Sequence, residues 1–133
     1  MSKAEQAKLP EIRIRKWADP PPKHLVVNDL RKGTGATVGP DDAILINYFS
    51  DSYAEALKRS RVGAYGATRF GMNEVIKGWE VGLLGMKVGG RRELIVPPRL
   101  HYQGLNPKQG AGKWTDIYVI DLLAVYPREA GSF

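Results

Sequence analysis

The chain has 133 residues, 43% hydrophobic and 26% charged, the make-up of one globular domain rather than two. It has no cysteine, which excludes disulfides, thiol catalysis and thiolate metal sites together. The formal net charge of +6 favours acidic partners or surfaces.

Those charges are spread along the sequence. Small clusters occur at Arg13-Arg15-Lys16, Lys58-Arg59-Arg61 and Lys87-Arg91-Arg92, without an interleaved aromatic motif or a nucleic-acid module. They read as solvated surface, and nucleic acid is not an expected partner. No apolar run approaches the ~18 residues of a membrane span. The N-terminal residues Met1 to Lys8 are polar and lack the apolar core of a leader. A cytoplasmic location is the expectation, with secretion as the alternative if a leader has been removed.

Residues 1–22 read as an extended N-terminal arm. Ile12 and Ile14 alternate with charge, and Asp19-Pro20-Pro21-Pro22 stiffens the chain into a spacer. A folded domain is expected over 23–127, with a short tail at 128–133. Leu25-Val26-Val27 predicts a strand, and Gly33-Thr34-Gly35 and Gly39-Pro40-Asp41-Asp42 predict turns. Ala43 to Phe49 alternates, with Ile44, Ile46 and Tyr48 on one face and Leu45, Asn47 and Phe49 on the other. Tyr53 to Arg59 favours helix, and Gly63 to Ala67 reads as loop.

Val75, Ile76, Trp79 and Leu83 recur at helical spacing and predict a helix over 74–84 that stops at Gly85. A tryptophan on such a stripe is most often core. Arg91 to Val96 predicts a strand ended by Pro97-Pro98, residues 99–114 a long loop, and Ile117 to Tyr126 an apolar closing strand. Mostly strand with one amphipathic helix is an α+β layout.

Familiar catalytic patterns are absent. Gly110-Ala111-Gly112-Lys113 has Pro107 and Trp114 where a phosphate loop needs Gly and Ser or Thr. His24 and His101 share no ligand spacing, and no serine sits in a nucleophile elbow. The reading calls for no metal or cofactor.

Val75-Ile76-Lys77-Gly78-Trp79-Glu80, then Gly85-Met86-Lys87-Val88-Gly89-Gly90-Arg91-Arg92-Glu93-Leu94, then Val96-Pro97-Pro98, closely resembles the FKBP-type peptidyl-prolyl cis/trans isomerases. The likeness covers roughly residues 22–126. It implies an FKBP-like fold, a strongly curved antiparallel sheet wrapped around one short central helix. It also implies that Trp79 floors a proline pocket, with Val75 and Ile76 at the helix start and Tyr48 as an aromatic side wall. Tyr102 falls where the family has its loop tyrosine, and Tyr118, counted back from Asp121-Leu122-Leu123, takes the place of a pocket phenylalanine. The substrate donors carried over are the Ile76 N–H and the Tyr102 hydroxyl, so that Trp79, Tyr102 and Ile76 form the catalytic set.

The sequence also departs from the family. Its Phe-Asp-Ser is not found, and the nearest alignment puts Leu57-Lys58 there. A second pocket phenylalanine falls near Gly66, with Tyr65 or Phe70 as stand-ins. The family's Ile-Pro-Pro is replaced around Gln109-Gly110-Ala111, and Trp114 has no counterpart: it either covers the pocket or is core. The implied function is isomerisation of X-Pro bonds by a monomer that helps proteins fold, with reduced activity for want of the Phe-Asp. Proline-containing polypeptides are the implied substrates and the family's macrolide inhibitors candidate ligands. The alternative is a catalytically weak peptide-binding or chaperone module on the same fold.

Overall fold

A computed structural model describes residues 11–101 and 114–127. Five antiparallel strands form the main sheet: β2 (Val26–Arg31), β3 (Ala43–Ser52), β5 (Thr68–Gly71), β6 (Arg91–Val96) and β7 (Asp116–Tyr126). Their order across the sheet is β2-β6-β7-β3-β5. A smaller two-stranded sheet pairs β1 (Ile12–Ile14) with β4 (Arg61–Gly63). The helices are short, α1 (Tyr53–Ala56) and α2 (Lys77–Gly82), with a 3₁₀ turn over Pro98–His101. The arrangement, a curved antiparallel sheet around a short helix, is the α+β layout expected from the sequence.

Alternation along the long strands creates two cores, one on each face of the sheet. Ile44, Ile46, Leu94, Val96, Ile120 and Leu122 face α2 and pack with Val75, Trp79, Leu83 and Met86. Phe49, Ile95, Ile117 and Val119 face the other way and pack with Ile12, Ile14, Tyr53 and Ala56. The segment read as an arm therefore puts two fully buried isoleucines against the back of the sheet. Their alternation with Glu11, Arg13 and Arg15 is the pattern of a strand with one buried face.

The 74–84 helix is shorter than its spacing predicts. Glu74 N–H donates to the Gly71 carbonyl in a turn, and regular helix begins only at Lys77. Val75 is buried from that lead-in, so the apolar spacing runs past the hydrogen-bonded turns. Gly85 has φ +78°, a left-handed conformation that ends the helical stretch without a Cβ penalty. Six residues including two glycines make a poor isolated helix, and packing on the sheet holds it.

Of the Tyr53–Arg59 stretch, only Tyr53–Ala56 is helical, capped by the Ser52 hydroxyl, which accepts from Glu55 N–H at 3.1 Å. Of the stretch read as loop over 63–67, Gly63 closes β4 and the rest joins it to β5, two strands not anticipated. β5 is only four residues long and pairs with β3 alone.

Candidate functional site

Trp79 is the centre of an aromatic cluster on the helix side of the sheet. Tyr48 comes from β3, Phe70 from β5 and Tyr118 from β7, and all three rings stand nearly perpendicular to the indole. Centroid distances are 5.2, 5.5 and 5.2 Å, and interplanar angles 86°, 83° and 88° respectively. Edge-to-face geometry of this kind fixes ring orientation as well as burying area. The indole is only 5% exposed, and its Nε1–H has no acceptor among the described residues.

Strand register explains why these rings converge. Phe70 lies opposite Ile44, and Tyr48 opposite Ile120, so both share the face of the core beneath α2. Tyr118 sits between Leu94 and Ser50 on neighbouring strands and points the same way. The result is a cavity of about 260 Å³ lined by Tyr48, Ser50, Phe70, Glu74, Val75, Ile76, Trp79 and Tyr118. Five residues singled out in the sequence, Tyr48, Val75, Ile76, Trp79 and Tyr118, thus line one pocket. Tyr102 lies outside the described residues, as does the Gln109–Ala111 stretch.

Ile76 is the N-cap of α2, with extended backbone and no side-chain cap; its carbonyl accepts from the Trp79 and Glu80 N–H groups, and the residue lines the cavity at the helix start. Between the two stand-ins for the second phenylalanine, the register selects Phe70. Tyr65 is 53% exposed and is not among the lining residues; it packs edge-on against Tyr48, 4.9 Å between centroids, with its hydroxyl 3.1 Å from Ser50 Oγ. Trp114, at 65% exposure, is not core and does not line the cavity.

Charge is sparse at the pocket. Among the described residues, Glu74 is the one ionisable acid or base, phenols aside, in its lining. Leu57 packs with the core on the opposite face, and Lys58 is solvent-exposed beside Glu55 at 3.7 Å. Asp51 also points away from the pocket and pairs with Arg61 at 3.3 Å. Burial pushes the Tyr48 phenol up, helped by Tyr65. The Tyr118 phenol is raised well above its ordinary value, by burial first and then by the nearby Asp116 carboxylate. Both stay protonated at neutral pH.

A larger polar element sits behind Tyr118. His101 is buried at the end of the 3₁₀ turn, with Nε2 3.2 Å from the Tyr118 hydroxyl and 3.4 Å from Asp116 Oδ2. Nothing in the sequence joined His101 to the pocket, because the contact depends on how that turn folds back onto β7.

A mostly apolar, aromatic-walled cavity, with no metal-holding cluster among the described residues, suits chemistry that needs no covalent step. The family model for FKBP-type peptidyl-prolyl cis-trans isomerases matches residues 52–123. The chain is 34% identical over 110 residues to the FK506-binding protein of Streptomyces anulatus, covering 79% of this chain and 89% of that one. It is 40% identical over 79 residues to FK506-binding protein 4 of Chaetomium thermophilum, covering 59% of this chain but only 16% of that much longer relative. Among solved structures, a peptidyl-prolyl cis-trans isomerase from Pseudomonas syringae shares the fold, with TM-score 0.62, 21% identity and coverage of 77% and 76%.

Proposed function

The chain belongs to the FKBP-type peptidyl-prolyl cis-trans isomerase family, and from that premise we propose that it accelerates rotation about X-Pro bonds in the Trp79 pocket. The observation that carries this reading is the set of three rings, Tyr48, Phe70 and Tyr118, standing perpendicular around Trp79. A pyrrolidine ring laid on the indole would be held by apolar contact on its face and edges.

Rotation of an X-Pro bond is slow because amide resonance must be broken, at a barrier of about 20 kcal/mol. A catalyst has only to bind the twisted amide better than either planar form. A dry, apolar box does this by disfavouring the charge-separated resonance form of the planar amide. Each tenfold in rate asks about 1.4 kcal/mol of differential binding. Trp79 serves as floor, Tyr48, Val75 and Tyr118 as walls, and the Ile76 N–H as a substrate donor. Tyr102 is assigned as the second donor on the family resemblance alone. The pocket is proposed to take proline-containing segments of polypeptides and, since the relatives are named for binding FK506, macrolides of that kind.

The second reading is a peptide-binding module with weak catalysis. It is favoured by one observation: of the residues aligned with the family's Phe-Asp, Leu57 packs on the other face of the sheet and Lys58 is exposed, so that Glu74 is the one carboxylate among the described residues that line the pocket. A protease-coupled assay on short X-Pro peptides decides between the two, with Trp79→Ala and Tyr102→Phe beside the parent. Acceleration that drops at least tenfold in Trp79→Ala, an estimate from losing about 1.4 kcal/mol, supports the isomerase. A folded parent with no acceleration leaves the binding module, and activity indifferent to both substitutions refutes the pocket assignment.

A further inference from the structure

We infer that the Tyr118 hydroxyl is a hydrogen-bond donor aimed into the proline pocket, and that His101 and Asp116 are positioning residues that hold it in that role. The inference rests on the pocket assignment above. At this position the sequence resemblance implies phenylalanine, so the hydroxyl is a polar feature this chain adds to an otherwise apolar wall.

The argument is one of proton accounting. His101 Nε2 lies 3.2 Å from the Tyr118 oxygen and 3.4 Å from Asp116 Oδ2. A neutral imidazole carries one N–H, and the other nitrogen is an acceptor. Were Nε2 the bare nitrogen, its lone pair would face the Asp116 carboxylate, and the proton would sit on Nδ1. His101 Nδ1 is buried and has no partner among the described residues. A buried N–H without an acceptor is costlier and rarer than an unused acceptor. Both observations place the hydrogen on Nε2, and an imidazolium would place one there too.

With the hydrogen on Nε2, shared between the Tyr118 oxygen and the Asp116 carboxylate, Tyr118 cannot donate to His101. Its own hydrogen is then not used by His101, the one hydrogen-bond partner of this hydroxyl among the described residues. The ring lines the cavity beside Tyr48 and Ser50, so that hydrogen is placed to meet a substrate carbonyl seated there. Raising of the phenol by burial keeps that hydrogen in place well beyond neutral pH. The ligand class is therefore a proline-containing peptide presenting a backbone carbonyl toward β7, and Tyr118 contributes specificity for that carbonyl.

Two measurements test this on the full chain. Nitrogen-15 spectra of the histidine side chains, assigned with His24→Gln since there are only two histidines, should show a protonated Nε2 and a bare Nδ1. A neutral His101 protonated on Nδ1 would overturn the inference. The second is the Kd of the tetrapeptide Ala-Leu-Pro-Phe for the parent, Tyr118→Phe, Asp116→Asn and the double variant. Tyr118→Phe should weaken binding about fivefold, the scale of one hydrogen bond. Asp116→Asn should reproduce part of that loss, and the double variant should bind no more weakly than Tyr118→Phe, because both act through one hydroxyl. Unchanged binding in Tyr118→Phe, losses that add, or no binding by the parent would each overturn it. A parent that binds with this pattern yet does not accelerate isomerisation would remove the enzyme reading and leave this one standing.

Discussion

Gly78 on α2 lies directly against Val96 on β6: a Cβ at Gly78 would stand 2.5 Å from Val96 Cγ1 and 3.0 Å from Cγ2. This contact sets how low the helix sits on the sheet, and hence where the neighbouring Trp79 ring comes to rest among its three aromatic partners.

Gly78→Ala should therefore destabilise the protein despite improving helix propensity. Propensity favours alanine by about 1 kcal/mol, whereas forcing a methyl into a packed site costs about 1–3 kcal/mol. The helix must rise or tilt, so activity at the Trp79 pocket should fall along with stability. Val96→Ala, made in the same chain, should recover part of the loss by opening space. Urea unfolding of the single and double variants checks this, and a Gly78→Ala protein as stable as the parent would contradict it.

The N-terminal segment yields a second expectation. Ile14 has no solvent exposure and packs in the core behind the sheet, away from the pocket. Ile14→Ala should cost about 2–5 kcal/mol, the range for buried isoleucine truncation. Pocket activity per folded molecule should stay close to that of the parent, because the sheet separates this core from Trp79. A loss of stability below about 0.5 kcal/mol, the level of an ordinary surface substitution, would mean that β1 contributes little to folding.

How much of this was legible beforehand follows from the range of the interactions. β6 spans Arg91–Val96, the run its composition predicts, because Gly90 and Pro97 punctuate it locally. β3 and β7 run longer than predicted, to Ser52 and from Asp116, since each completes the other's ladder at Ser52↔Asp116. β5 was hidden. Thr68 to Gly71 has little strand character of its own and is extended because it pairs with β3. The choice of Phe70 over Tyr65 as pocket wall depends on that register, which sequence spacing does not encode. The same holds for His101, whose neighbours Asp116 and Tyr118 are distant in sequence and reach it only through folding.

A buried ion pair gives a third prediction. Asp121 accepts from Arg91 Nε at 2.6 Å and Nη2 at 2.7 Å, with Arg31 Nη2 at 3.5 Å, and its side chain is almost entirely buried. The hydrogen bond to Asp121 holds the Arg91 guanidinium above its ordinary pKa. Asp121→Ala leaves that guanidinium largely buried without its counter-charge and should cost about 3–5 kcal/mol. The pair replacement Arg91→Met with Asp121→Leu should be far milder, since it removes both desolvation penalties together. Urea unfolding of the two variants compares the losses. Equal losses in the single and double variants would show that the pair's charge is not what matters.

Alkaline pH supplies the last test. The phenols of Tyr118, Tyr48 and Tyr53 are all raised above the ordinary 10.0, in each case chiefly by burial. In the unfolded chain they lose their protons near pH 10, whereas the folded protein retains them to higher pH. Above about pH 10 the folded state thus binds more protons than the unfolded state, and stability falls as pH rises. Below that value both states are protonated and these groups make no contribution to the slope. Urea midpoints should be flat with respect to the phenols around pH 8–9 and decline from about pH 10 upward. The upward shift is largest for Tyr118, so Tyr118→Phe should flatten the decline measurably. An identical decline in parent and variant would mean that the Tyr118 phenol ionises as freely in the folded protein as in the unfolded chain, which its seat between Trp79 and His101 argues against.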